Sequence, residues 1–155
     1  DAIFDDPHWP SNPAYYLCVP SVTDDDVAPD GKSNLFVLVP IASGLEDTPE
    51  LRQEYRDKIL DDIAENTGVE LHDRILFEES FCVDDFAERY NSEKGTALGL
   101  AHTLRQTALF RPSHRSSEVD GLYYTGSYTT PGIGVPMCLV SGEHTADKIK
   151  QDVGK

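Results

Sequence analysis

One stretch constrains this chain more than any other: Gly121-Leu122-Tyr123-Tyr124-Thr125-Gly126-Ser127-Tyr128-Thr129-Thr130-Pro131-Gly132-Ile133-Gly134-Val135-Pro136-Met137. An apolar and aromatic run stops at a glycine, a polar turn follows, and a helical pattern begins beside two more glycines. The pattern predicts a buried strand that hands over to a helix N-terminus. Free backbone N–H groups and the macrodipole at such a terminus favour a phosphate or an electron-rich cofactor atom. Glycine there lets a ligand come close to the backbone. The residues leave a second reading open, a βα connection whose glycines only satisfy tight geometry.

The helix after this turn is expected from about 134 to 148. Val135, Leu139, Gly142, Ala146 and Ile149 are spaced as one packing face, with Gly142 close to a sheet and residues 151–155 fraying. Upstream, residues 1–12 carry Pro7 and Pro10 and read as irregular. Residues 13–20 read as a strand whose aromatic side chains are core first, with an apolar pocket as the alternative. A polar loop with Asp24-Asp25-Asp26 and the turn Pro29-Asp30-Gly31 leads to the strongest strand, residues 34–42. Its continuous apolar character predicts burial on both faces. Thr48 and Pro49 announce a helix as N-cap and first helical residue. Leu51, Tyr55, Ile59 and Ile63 form its apolar face, Glu54 and Lys58 pair on the other side, and Asn66-Thr67-Gly68 ends it. This helix is assigned packing and no chemistry.

Residues 75–83 are expected to hold a short strand and residues 84–90 a short helix. Gly95, Ala97, Gly99 and Ala101 make a small-residue surface, which suits a close helix contact more than a flat ligand. Their order is not a dinucleotide-binding fingerprint. Residues 106–112 then run into a polar link at 113–118. Arg111 and Arg115 stand out in so acidic a chain, as partners of a cofactor phosphate or a buried acid, or as surface ion pairs. Asp and Glu number 28 against 13 Lys and Arg, a formal charge of -15. That charge opposes nonspecific binding to nucleic acid or to an anionic bilayer. The acids are spread through the chain, as a high-salt cytoplasm would favour because salt screens their repulsion; an ordinary acidic protein is the alternative. Three cysteines, Cys18, Cys82 and Cys138, form no disulfide framework and read as buried free thiols. The five histidines show no metal-ligand spacing. No apolar run reaches the ~18 residues of a membrane span. The 155 residues suit one domain, and the missing initiator Met suggests a processed product or a piece of a longer protein.

The sequence resembles the C-terminal part of carotenoid desaturases of the phytoene-desaturase type, haloarchaeal members in particular, within the FAD-dependent amine-oxidase-like proteins. The resemblance rests on Phe110-Arg111-Pro112, the stretch from Gly121 to Pro136, Tyr90-Asn91-Ser92-Glu93-Lys94-Gly95-Thr96-Ala97-Leu98-Gly99-Leu100 and the earlier strands. It implies an α/β fold, the C-terminal portion of a two-domain FAD-dependent oxidoreductase. Residues 1–105 would end a mixed-sheet substrate domain. Residues 106–155 would return to the FAD domain with its final strand and helix. The dinucleotide motif of the family is missing here, which implies a fragment unable by itself to hold FAD tightly. Gly126 and Ser127 match the end of the cofactor strand. Gly132, Ile133, Gly134 and Val135 match the turn and helix start beside the flavin. Many relatives carry His where Thr130 stands, and Ala or Gly nearer Tyr128, which leaves the exact desaturation step open.

The implied reaction is desaturation of a C40 polyene, phytoene first among candidates, with hydride passing to FAD and a quinone or oxygen as electron acceptor. Positioning should dominate, because a hydrocarbon offers no polar handle. The implied location is cytoplasmic, or peripheral at the cytoplasmic membrane. A carotenoid 3,4-desaturase or another flavin-dependent oxidoreductase, such as an amine oxidase, is the alternative. A binding fragment without flavin is the non-enzyme reading. No catalytic residue is assigned. His102 and His144 read as structural or surface residues, and Asp84 and Glu143 as weak acid–base candidates.

Overall fold

Helix α1, Pro49–Thr67, forms where capping and periodicity predict it. The Thr48 hydroxyl accepts from the Leu51 N–H at 3.2 Å, and Gly68 closes the helix in the left-handed region at φ 73°. Its buried face is Tyr55, Ile59, Leu60 and Ile63, while the expected Leu51 is half-buried. Lys58 and Glu54 lie 3.6 Å apart on the outer side. The N-terminal arm lies over this helix. Trp9 packs on Tyr55 with ring centroids 4.4 Å apart, the Tyr55 hydroxyl donates to the Pro10 carbonyl, and the Tyr15 hydroxyl donates to Asp62 at 2.6 Å. The structure is a computed structural model that describes residues 2–101, 103, 105–107 and 110–154. The reading of His102, and parts of the 95–104 and 106–112 readings, lie outside the described residues.

Strands β1, Tyr16–Cys18, and β2, Phe36–Leu38, pair antiparallel in the register Tyr16 with Leu38, Leu17 with Val37 and Cys18 with Phe36. The expected turn sits between them, with the Lys32 N–H donating to the Pro29 carbonyl at 2.9 Å. The expectation that β2 is buried on both faces fails: Phe36 and Leu38 are 52% and 48% exposed. The sheet has two strands among the described residues, so a run with central-strand composition has one neighbour. Residues 75–82 form no strand, and Leu76 and Phe77 lie open to solvent. A strand needs a ladder partner, and none is present there among the described residues. The small α/β unit thus has one two-stranded antiparallel sheet and three α-helices among the described residues.

Helix α2, Val83–Tyr90, is tied to the start of α1 by charge. Arg52 reaches Asp47 at 2.6 Å and Asp85 at 2.7 Å, and Asp47 accepts from the Asp84 N–H at 2.8 Å. Gly95 packs so closely on α2 that an added Cβ would lie 2.1 Å from the Val83 carbonyl oxygen. The Asp47 side chain is closed off from solvent, and its hydrogen bond from Arg52 holds its carboxyl below the usual carboxylate range. A depressed folded-state value means that the ionised form stabilises the fold. The contribution is complete above the unfolded carboxylate range and disappears as pH falls through the depressed value. Asp47→Asn should therefore cost roughly 3 kcal/mol in the intact protein at neutral pH. Chemical denaturation should show that difference shrinking in strong acid.

Helix α3, Val135–Val153, is longer than expected, and its apolar face is not its buried face. Val135 and Leu139 are 78% and 73% exposed, and Ile149 is also exposed, whereas Ser141 and Thr145 are buried. The expected fraying of its end fails too. Asp152 accepts from the Tyr123 hydroxyl at 2.6 Å and pairs with Arg115, which anchors the last turn. The segment before α3 is not a buried strand. Tyr123 makes one isolated bridge with Arg115, and Leu122 and Tyr124 are exposed. Its backbone pairs with residues 114–116 through that bridge, the Ser116 N–H donating to the Leu122 carbonyl at 3.0 Å and the Tyr124 N–H to the His114 carbonyl at 2.9 Å, and side chains of α3 hold it as well. All three cysteines are free and half-buried, not fully buried. Among the described residues, no helix is long and apolar enough to cross a membrane.

Candidate functional site

Ser141 and Thr145 stand one helical turn apart, so both face the segment 124–130. The Ser141 side chain is wholly buried. Its oxygen accepts from the Gly126 N–H at 2.8 Å and lies 2.6 Å from the Thr129 hydroxyl and 3.2 Å from the Thr125 hydroxyl. Thr129 donates to the Gly126 carbonyl at 3.0 Å. One proton arrangement satisfies every contact: Thr125 donates to Ser141, Ser141 to Thr129, and Thr129 to Gly126. Both polar groups of the Gly126 peptide backbone are thereby fixed from beneath.

His114 joins the same network one turn further along α3. It is 8% exposed. Its Nδ1 lies 2.9 Å from Thr145 Oγ1 and 3.3 Å from the Tyr124 carbonyl, and its Nε2 lies 2.9 Å from Thr130 Oγ1. Thr145 spends its own proton on the carbonyls of Tyr124 and Ser141, each at 2.9 Å. Nδ1 must then be the donor, and in the neutral ring Nε2 accepts from the Thr130 hydroxyl.

Arg111 holds the other side of the turn. It is 6% exposed, and it donates through Nη1 to the Ser127 carbonyl at 2.6 Å and through Nη2 to the Leu100 carbonyl at 3.2 Å. Its Nε has no partner among the described residues. Of the roles left open for the two arginines, Arg111 meets no acid among the described residues and clamps two carbonyls, whereas Arg115 makes the ion pair with Asp152. The small-residue stripe meets this turn as well. An added Cβ on Gly99 would lie 3.3 Å from Ser127 Oγ and from the Tyr128 ring. An open groove of about 540 Å³ runs beside the contact, between Phe86 and Tyr90 of α2 and Ser127 and Tyr128.

Above this support lies a glycine-lined shelf. An added Cβ on Gly126 would meet nothing within 4 Å. Gly132 is buried, Ile133 is half-buried, and Gly134 is the N-cap of α3 at φ 118°. No side chain caps this helix, and Val135 is exposed. The first-turn N–H groups of Val135 and Met137 are therefore left for another acceptor; Pro136 has none. The six sequence-derived residues lie along the connection 126–135 that leads into α3, with Ser127 contributing a carbonyl already claimed by Arg111. The open face and uncapped terminus fit an electron-rich ring edge of a flavin. No dinucleotide motif for its pyrophosphate is present in the sequence. Sequence reasoning missed His114, Thr129, Ser141 and Thr145, because a search for apolar periodicity is blind to a polar buried face. The Ser/Thr density at 125–130 opposite Ser141 and Thr145 was the available signal.

No family model matches the chain. The carotenoid 3,4-desaturase of Haloarcula japonica is 72% identical over 153 residues, which is 99% of this chain and 31% of that protein. Across almost its whole length the chain is closely related to part of a haloarchaeal carotenoid desaturase. Two further carotenoid desaturases extend the kinship. The phytoene desaturase of Fusarium fujikuroi is 32% identical over 176 residues, 99% of this chain and 31% of that protein. The 4,4'-diapophytoene desaturase of Staphylococcus aureus is 34% identical over 149 residues, 92% of this chain and 30% of that protein. The chain spans about a third of the length of the curated desaturases it matches. The haloarchaeal source of the first accords with the acidic composition read above as a high-salt character.

Proposed function

We propose that this chain is the C-terminal portion of a FAD-dependent carotenoid desaturase that acts at the 3,4 position of an acyclic C40 polyene. The observation that carries the proposal is the 72% identity to a carotenoid 3,4-desaturase across 99% of the chain. That likeness favours the 3,4 step over phytoene desaturation, which the sequence resemblance put first; the 32% identity to a phytoene desaturase supports the second reading more weakly. Residues 1–105 belong to the substrate domain and residues 106–155 to the FAD domain. Phe36, Leu76, Phe77 and Leu139, exposed here, then face the rest of the enzyme.

Gly126, Ser127, Gly132, Ile133, Gly134 and Val135 border the flavin. When bound, FAD supplies a hydride acceptor. One C–H bond of the substrate would give its hydride to that acceptor, the neighbouring carbon would release a proton to water, and the electron pair of that second C–H bond would form the new double bond. The chain's contribution is placement. Gly126 and Gly134 keep side chains off the shelf, and the N-terminus of α3 favours the negative charge that develops there. Quinone or oxygen is the terminal acceptor, and peripheral contact with the membrane would give access to a substrate that dissolves in lipid. Incubating the full-length enzyme separately with a C40 polyene saturated at the 3,4 position and with phytoene, then resolving the products, tests the step. The first should lose two hydrogens at that position. Exclusive conversion of phytoene would reverse the order of the two readings.

A further inference from the structure

We propose that His114 is a positioning residue for the flavin-bordering turn, acting through the Thr130 hydroxyl. The inference rests on the cofactor placement proposed above. Its physical basis is how little else holds the turn. Residues 130–133 take part in one hydrogen bond among the described residues, the contact between Thr130 Oγ1 and His114 Nε2 at 2.9 Å. Gly126 and Thr129 before them are fixed by Ser141, and Gly134 after them is fixed by α3, whose Cys138 N–H donates to the Gly134 carbonyl at 2.9 Å. Between these anchors Gly132 contributes no side chain, and glycine leaves its backbone the widest choice of conformations. Thr130 is the polar hold on that interval.

The imidazole is itself rigid. It is buried, its Nδ1 is committed to Thr145 and the Tyr124 carbonyl, and the His144 ring meets it edge-on with centroids 5.7 Å apart. In the neutral ring that commitment leaves Nε2 as the acceptor for the Thr130 hydroxyl. A histidine that served packing alone would not need both nitrogens matched to partners on two different segments.

The test is a double-mutant cycle in the full-length enzyme, read as FAD affinity and as the visible absorption of the bound flavin. His114→Asn keeps a donor near Thr145 and removes the acceptor for Thr130. Thr130→Val removes the hydroxyl at nearly constant shape. Each should weaken FAD binding about tenfold, the scale of one hydrogen bond. The double variant should be no weaker than either single one, because both remove the same contact. His114→Gln, whose amide oxygen reaches the Nε2 position, should recover part of the affinity and the wild-type flavin spectrum. Multiplicative losses in the double variant, or reduced thermal stability with unchanged FAD affinity and spectrum, would overturn the proposal. If His114→Asn does not fold, Thr130→Val alone decides: unchanged FAD affinity and spectrum sink the idea. Wild-type enzyme that takes up no FAD contradicts the cofactor placement itself, an outcome distinct from wild-type uptake with unaffected variants.

Discussion

Ser141→Val should be among the most damaging single substitutions in this segment. The serine oxygen is the acceptor for the Gly126 N–H and contacts the Thr129 and Thr125 hydroxyls inside a wholly buried site. Valine returns none of these bonds and adds volume where there is no space. Each buried polar group left without a partner costs about 1–3 kcal/mol, and overpacking adds a similar amount, so a total of roughly 3–5 kcal/mol is expected. Ser141→Ala removes the bonds without the added bulk and should cost about 2 kcal/mol. Denaturant titration of the full-length enzyme measures both. A valine variant within about 0.5 kcal/mol of wild type, the range of ordinary surface substitutions, would show that the buried polar face of α3 is not what holds the turn.

Gly134→Val should separate cofactor placement from stability. Gly134 sits at φ 118° and ψ 149°, where a β-branched residue is strained by about 1–3 kcal/mol. The space beside it is not full, since an added Cβ would be 3.9 Å from Met137. The damage therefore comes from a backbone that must relax and from a side chain intruding on the shelf. FAD affinity should fall about 100-fold, while Gly134→Ala should lose about tenfold. Helix α1 lies far away in sequence and is capped by its own residues, so its contribution to the melt should not change. FAD affinity equal to wild type in both variants would mean that Gly134 serves only the geometry of the helix start.

Local signals in this sequence were read most reliably where the cause is local. Thr48, Pro49 and Gly68 place α1 because caps act within one turn, and Pro29-Asp30-Gly31 places the turn between β1 and β2. The failures share a different cause. Residues 34–42, 75–83 and 121–126 have the composition of buried strands, yet among the described residues only Phe36–Leu38 forms a strand, its side chains are exposed, and Tyr123 makes a single bridge. Strand composition reports a preference for burial, while a strand requires a partner across the ladder. The relatives are about three times as long as this chain. The α3 error is separate. Val135, Leu139 and Ile149 suggested a packing face, but the adjoining turn presents carbonyls and hydroxyls, so Ser141 and Thr145 are buried against it. The six residues proposed to border the flavin rest on the resemblance. The polar support beneath them was not legible from periodicity.

The most direct test of the account is anaerobic reduction of the FAD-loaded full-length enzyme by a C40 polyene presented in detergent or lipid. The account predicts that the enzyme takes up FAD. The oxidised flavin absorption should then disappear when the polyene saturated at the 3,4 position is added, with one two-hydrogen-depleted product formed per flavin reduced. An enzyme that shows no flavin absorbance after reconstitution with excess FAD, or whose bound flavin stays oxidised with every C40 polyene, would contradict it.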